Sequence, residues 1–260
     1  MKKYLPVFTA DDLTTDEKWA TLRKFIENWY DFEIPNTAYS NQLTELEKSF
    51  PFTLPPAAER FFTLANQLQS VAHIYPNSGQ KTNKFSSIFR DGLAISFLEK
   101  HQALSLLLQA EQDIYWAIET ADFKEENPKV YSYFLDYESD NGDFERYGAP
   151  YPSVTSFVLK HMLTYLNNCS SFGMQIENMD SFKEKLKSSF VNHIIYDGIE
   201  LFEDENLIAY IDEDIFYEGS FYFRLHLKEN RDIESLPEVI IDVLKNRKGG
   251  WTSNRFNDFC

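Results

Sequence analysis

Apolar positions recur at helical spacing near the start of the chain: Trp19, Leu22, Phe25, Ile26 and Trp29. Just before them Thr14 and Glu17 stand three apart, the spacing of a capping box, in which each side chain satisfies a backbone N–H of the first turn. This pattern predicts an amphipathic helix over 15–30. A second short helix is predicted from Leu43 to Ser49. In LPPAAERFFTLAN, Pro56 suits a helix start, where its missing N–H does no harm. Phe61, Phe62, Leu64, Ala65 and Leu68 make that helix's buried side. Residues 76–84 read as a polar loop and 85–102 as helical.

Near Leu104 the pattern shifts to strands. The runs 104–110 and 113–119 are short, and the second is rich in aromatic and β-branched residues. Glu111-Gln112 between them reads as a tight polar turn. After an acidic loop at 120–127, the stretch from Val130 to Tyr137 alternates as a strand does. Asn141-Gly142 marks a turn, because both residues tolerate positive φ. Ser153 can cap a helix reaching about Asn167, and 180–193 reads as another. Strands are predicted at 194–202, 206–211 and 220–228. The last places Phe221, Phe223, Leu225 and Leu227 on one face, with Tyr222, Arg224, His226 and Lys228 on the other. A final helix begins after Ser235, with Pro237 in its first turn, and ends before Gly249-Gly250. Because strands come in runs, the predicted class is α+β, with a mixed, largely antiparallel sheet surrounded by helices. Strands in both halves and the lack of linker composition favour a single domain over 1–260. A core at 1–170 with a C-terminal extension at 171–260 is the second option.

Composition bounds the function. The chain has 260 residues, 43% of them hydrophobic, with 23 Phe and 15 Tyr, which is ample for a core and argues against disorder. The formal charge is −16, from 25 basic against 41 acidic residues. Such a surface repels phosphate backbones and anionic membranes, so neither nucleic acid nor membrane is an expected partner. Two cysteines, Cys169 and Cys260, are too few for a disulfide framework. No apolar run reaches the ~18 residues of a membrane span. The opening MKKYLPVFTADDL lacks the apolar stretch of a signal peptide, which makes the cytoplasm the expected compartment.

The strong chemical motifs are missing. There is no Gly-rich phosphate loop, no HExxH and no paired CxxC. His73, His101, His161, His193 and His226 are scattered, none at metal-ligand spacing from another ligand. DYESDNGDFERY at 136–147 starts like a calcium loop, but its Gly is one place late and Tyr147 stands where a bidentate Glu is needed. A polar hairpin is the better reading there. Sequence alone neither selects nor rejects a glycosidase-like acid pair among so many carboxylates. No catalytic, cofactor-binding or metal-binding residue is therefore expected.

One acidic feature is sharper. Ser188 to Phe223 carries nine acids, Asp197, Glu200, Glu203, Asp204, Glu205, Asp212, Glu213, Asp214 and Glu218, and no Lys or Arg. Merely solubilising acids are usually mixed with bases. A field of one sign with interleaved aromatics suits steering toward a basic protein. Glu203, Asp204, Glu205, Asp212, Glu213, Asp214, Phe216 and Tyr217 are the expected partner-binding residues; a solvated acidic face is the plain alternative.

Read as a whole, LLLQAEQDIYWAIETADFKEENPKVY resembles the signature of the SUKH superfamily, which groups bacterial toxin-immunity proteins with fungal cell-wall-assembly regulators. Members show a strand ending in Glu-x-Gln, a turn, a Trp-containing strand, an acidic loop and then Asp-Pro-Pro-Val-Tyr. Here Glu111 and Gln112 stand at the turn, Trp116 and Ile118 on the next strand, and Pro128, Val130 and Tyr131 at the one after. LPPAAERFFTLAN is similar to the family's Leu-Pro helix, and PSVTSFVLKHMLTYL to its Ser-capped helix. The pattern departs at Asp113, usually Gly, at Ala117 after the Trp, usually Gly, and at Lys129, usually Pro; this leaves the subfamily and the partner open. The likeness covers about 40–167. It implies a SUKH-like α+β fold that acts by binding and has no catalytic residues. The implied function is an immunity protein that neutralises a cognate bacterial toxin, of basic nuclease type, by occluding its active surface. The alternative is a regulatory adaptor for a cellular protein, and an enzyme comes third.

Overall fold

The computed structural model describes residues 6–10, 12–30, 33–36, 47–48, 50, 52–72, 96–109, 114–136, 143–164, 169–176, 179–205, 207–213, 221–228, 236–246 and 251–252. Five α-helices and two antiparallel sheets are formed by these residues, which is an α+β fold. The strands make two sheets where one mixed sheet was expected, and every described pairing is antiparallel. The chain divides into two compact units. One is Phe32–Tyr165; the other joins Met1–Asp31 to Leu166–Cys260, so the first helix belongs with the C-terminal segment.

The Phe32–Tyr165 unit contains α2 (Pro56–Ala72), β1 (Phe97–Leu98), β2 (Ala103–Gln109), β3 (Ile114–Glu119), β4 (Val130–Leu135), β5 (Phe144–Tyr151) and α3 (Val154–Thr164). Its five strands lie in chain order, β1 to β5. On β3, Ile114, Trp116 and Ile118 point toward the helices. Trp116 meets Phe157 and His161 of α3 at ring separations of 5.9 and 4.6 Å, and Phe61 of α2 reaches Phe157 at 6.0 Å. The apolar run of β2 is too long for strict alternation. A register shift between Ser105 and Leu107 absorbs the excess, so that Leu104, Leu106 and Leu107 are all buried. The Ser153 Oγ accepts from the Ser156 N–H at 3.0 Å and caps α3 as expected. Within 85–102, the described residues are not α-helical: 97–98 pair with β2 and 99–101 make a 3-10 turn. The expected helix at Leu43–Ser49, the loop at 76–84, and the Glu111-Gln112 and Asn141-Gly142 turns lie wholly or mostly outside the described residues.

The other unit contains α1 (Thr15–Tyr30), β6 (Cys169–Ile176), α4 (Met179–Ser189), β7 (Asn192–Tyr196), β8 (Ile199–Asp204), β9 (Leu207–Glu213), β10 (Phe221–Lys228), α5 (Glu238–Asn246) and β11 (Trp251–Thr252). The sheet order is β11-β6-β10-β9-β8-β7. Thr14 and Glu17 form the predicted capping box: the Thr14 N–H and hydroxyl donate to the Glu17 carboxylate at 2.9 and 2.7 Å. α1 covers one face of the sheet, where Phe8 is wedged between Phe25 and Tyr196 and the Tyr196 hydroxyl donates to the Lys18 carbonyl. α4 and α5 cover the other, over Phe202, Ala209, Phe223 and Leu225. The strand expected over 194–202 is two strands. They turn at Asp197-Gly198, whose φ values of 49° and 82° are those of a tight two-residue hairpin loop.

Candidate protein-binding surfaces

Two sites come from the acidic segment and one from the other unit. The acidic segment folds into the β7–β8–β9 meander, and that decides what each acid can do. Ile199, Leu201 and Glu203 share the face toward α1, so Glu203 points inward and is only 1% exposed. Its carboxylate accepts the backbone N–H of Val7 at 3.0 Å and of Phe8 at 3.3 Å, while Asn192 donates to the Phe8 carbonyl at 2.7 Å. Glu203 anchors the N-terminal segment and does not face a partner, which corrects its expected role. Asp197 is bonded to Lys18 at 2.9 Å. Glu200 takes both Lys183 and His193. Burial alone would raise the Glu200 carboxyl, but the hydrogen bonds and charges of Lys183 and His193 hold it below the usual carboxylate range. Asp197, Glu200 and Glu203 are thus engaged inside the unit, the first two by lysines from outside the segment.

Asp204 and Glu205 stand at the β8–β9 turn, where the Asp204 carboxylate accepts the Glu205 N–H at 2.7 Å and Glu205 is exposed. Asp212 and Glu213 close β9, opposite Tyr222 and Phe221 of β10. β9 runs from Leu207 to Glu213, so the two acidic pairs are about 20 Å apart at ~3.4 Å per residue. The expected single patch is therefore two acidic ends of one meander. Asp214, Phe216 and Tyr217 lie outside the described residues.

The Phe32–Tyr165 unit has a further sheet face opposite α2 and α3, where Ala117, Tyr131 and Tyr133 are buried while Glu119 is half-buried and Arg146 exposed at the rim. Tyr115, Ala117 and Glu119 of β3 share it with Tyr131 and Tyr133 of β4 and Arg146 of β5. The Tyr133 hydroxyl donates to Glu119 at 2.8 Å and the Tyr131 hydroxyl to Asp122 at 2.8 Å. Arg146 donates to Glu119 at 3.3 Å and lies 3.9 Å over the Tyr131 ring. Burial, then the neighbouring carboxylates, push both phenols above their ordinary range, so they act here as donors. Lys100 and Asp143 pair at 2.6 Å nearby. The exposed part of this face is the Glu119–Arg146 ion pair, whose guanidinium stacks on the buried Tyr131.

Among the described residues no group of three or more His, Cys, Asp or Glu is placed to hold a metal ion. Burial drives His161 and His226 down to about 3, with Lys160 and Arg224 adding to the effect, so both imidazoles are neutral core groups. No described helix is long and apolar enough to cross a membrane. The inward position of Glu203 was open to alternation, since it follows Ile199 and Leu201 at spacing two. The Tyr131–Arg146 stack had no local signal, because its members come from separate strands. Comparison with protein-family models, with curated proteins and with solved structures gives no match.

Proposed function

We propose that the protein is a SUKH-type immunity protein that binds a basic toxin domain and occludes its active surface. The observation that carries this reading is the acidic stretch Ser188–Phe223, 36 residues with nine acids and no Lys or Arg, seven of these acids falling in the β7–β9 meander with Asp204 and Glu205 at its turn. A local excess of acid at the β8–β9 turn accelerates encounter with a basic partner and disfavours like-charged ones. The positions of the family-like residues support the resemblance. β2 runs to Gln109, Trp116 lies in β3, Val130 and Tyr131 open β4, and Ser153 caps α3. Occlusion needs no catalytic group on this chain. The test is binding kinetics with any toxin domain found encoded beside the gene; a neighbourhood without one would count against the reading. Replacing Asp204 and Glu205 by Asn and Gln is expected to slow association several-fold and leave folding intact. Unchanged association and unchanged protection would turn the search to the Glu119–Arg146 face.

A further inference from the structure

Sheet edges invite strand addition, and proteins blunt them with short strands, Pro, bulges and charges. The residues on either side of β11 lie outside those described, and two of the other three edges are blunted. β1 has two residues. β5 carries Glu145, Arg146 and Pro150, and its register with β4 shifts around Gly148, whose φ is 66°. β7 is the exception. It makes five consecutive pairs with β8 without a register shift, and Asn192–Tyr196 contains no Pro, Gly, Lys or Arg. Two of the three large hydrophobic side chains exposed among the described residues lie on this strip: Val191 at 71% and Ile195 at 53%. They flank His193 on one face of the strand, which stacks on Phe202 at 4.8 Å.

The backbone of β7 is also turned the right way. In a two-residue hairpin the residues beside the loop, here Tyr196 and Ile199, exchange hydrogen bonds, and bonding then alternates along the ladder. Tyr196, Ile194 and Asn192 therefore bond to β8, while His193 and Ile195 direct their N–H and C=O groups away from it.

We infer that the outer edge of β7 is a strand-addition site for an extended partner segment with an apolar centre and basic ends. The basic class of partner rests on the function proposed above; the edge itself rests on geometry. Asn192 pairs with Glu203, which places Asp204 and Glu205 at the Val191 end of the strip. Ile211 pairs with Glu200 and Glu200 with Ile195, which places the Asp212 and Glu213 positions toward the other end but on β9, two strands in and about 10 Å from β7. The edge is an apolar strip with acids beside its Val191 end. A second copy of this chain added through its own β7 brings no Lys or Arg on that strand, whereas lysines or arginines at the ends of a partner strand would complement the acids. On the α4 side, Lys183 and Lys187 are each already held by an acid, Glu200 and Glu184.

The test uses the full chain and a nine-residue probe peptide, Lys-Lys-Val-Thr-Val-Thr-Val-Lys-Lys, with binding read by fluorescence anisotropy. One control peptide carries N-methyl groups on alternate amides of one edge, which keeps its charge and removes its donors. A second has glutamates in place of the lysines. The protein variant is Ile195→Pro, which deletes an outward N–H without removing a bond to β8. Binding of the probe that weakens at least tenfold on N-methylation, on charge reversal and in Ile195→Pro supports the site. If the variant misfolds, the N-methylated peptide tests the same contact on the unaltered protein. Equal binding of the N-methylated peptide means charge attraction alone and overturns the inference, as does no binding of the probe. A wild-type dimer in sedimentation that is lost in Ile195→Pro gives the edge to a second copy and also overturns it. A toxin domain that binds Ile195→Pro normally but is lost on neutralising Asp204 and Glu205 overturns the edge and leaves the proposed function standing. Edge-dependent binding of the probe with no binding of any toxin domain does the reverse.

Discussion

Glu203 holds a carboxylate out of water by giving it two backbone donors. Glu203→Gln keeps one acceptor oxygen and sets an amide N–H₂ beside N–H donors, so it leaves buried groups unmatched. The expected loss is about 1–3 kcal/mol, read as a lower denaturation midpoint in urea. An unchanged midpoint would mean that the carboxylate does not anchor the N-terminal segment. The two buried histidines set a pH dependence. Each stays neutral in the fold, with its pKa near 3, while in the unfolded chain it protonates near 6.5. As pH falls below 6.5 the unfolded state takes up protons that the native state refuses. Stability then falls by about 1.4 kcal/mol per pH unit for each histidine, until the folded pKa is reached. The pH dependence of the denaturation midpoint between 7.5 and 5 is expected to flatten in His226→Leu. An identical slope in that variant would contradict the burial argument. The sequence showed an alternating strand at 220–228 and placed His226 on its polar side. It could not show that α1 covers that side.

At the scale of elements, Phe157 joins α3 to α2 and the sheet. It is 1% exposed and contacts Phe61, Trp116, Tyr151 and His161. Phe157→Ala is expected to cost about 3–5 kcal/mol in urea unfolding, from lost burial plus a cavity. A loss under 1 kcal/mol would mean that the site collapses freely or is loosely packed. Elements of this kind were legible because they carry their own signals: the Thr14–Glu17 box, Pro56 in a first turn, the cap at Ser153, the aromatic run of β3. β5 was read only as the far arm of a polar hairpin ending at Tyr147, because FERYGAPY mixes charges with Gly and Pro, as an exposed edge strand does, and shows no apolar alternation. The division of 194–202 was legible in Asp197-Gly198, a hairpin dipeptide that the surrounding apolar residues masked. The ion pairs of Asp197 and Glu200 were not legible. Lys18 lies 179 positions from Asp197, and a charge count over a window cannot register a cation brought in by the fold.

At the scale of the whole molecule the chain begins in one compact unit, builds the other and returns. Phe157 and Glu203 lie in different units. The reading of 1–260 as one domain predicts that Phe157→Ala and Glu203→Gln lower the midpoint of the same unfolding transition; two separately shifted transitions would make the units independent. The central claim is that the acidic meander steers and holds a basic partner. Its most direct test is the association rate of a basic toxin domain with the full chain at 0.1 and 1 M salt, for the wild type and for the variant with Asp204→Asn and Glu205→Gln. The Debye length falls from about 10 Å to about 3 Å between these conditions. The wild type is expected to associate much more slowly at high salt, with the variant already slow at low salt and the two rates converging at 1 M. Equal rates for both proteins, insensitive to salt, would contradict the account and leave the acids as a solvated face.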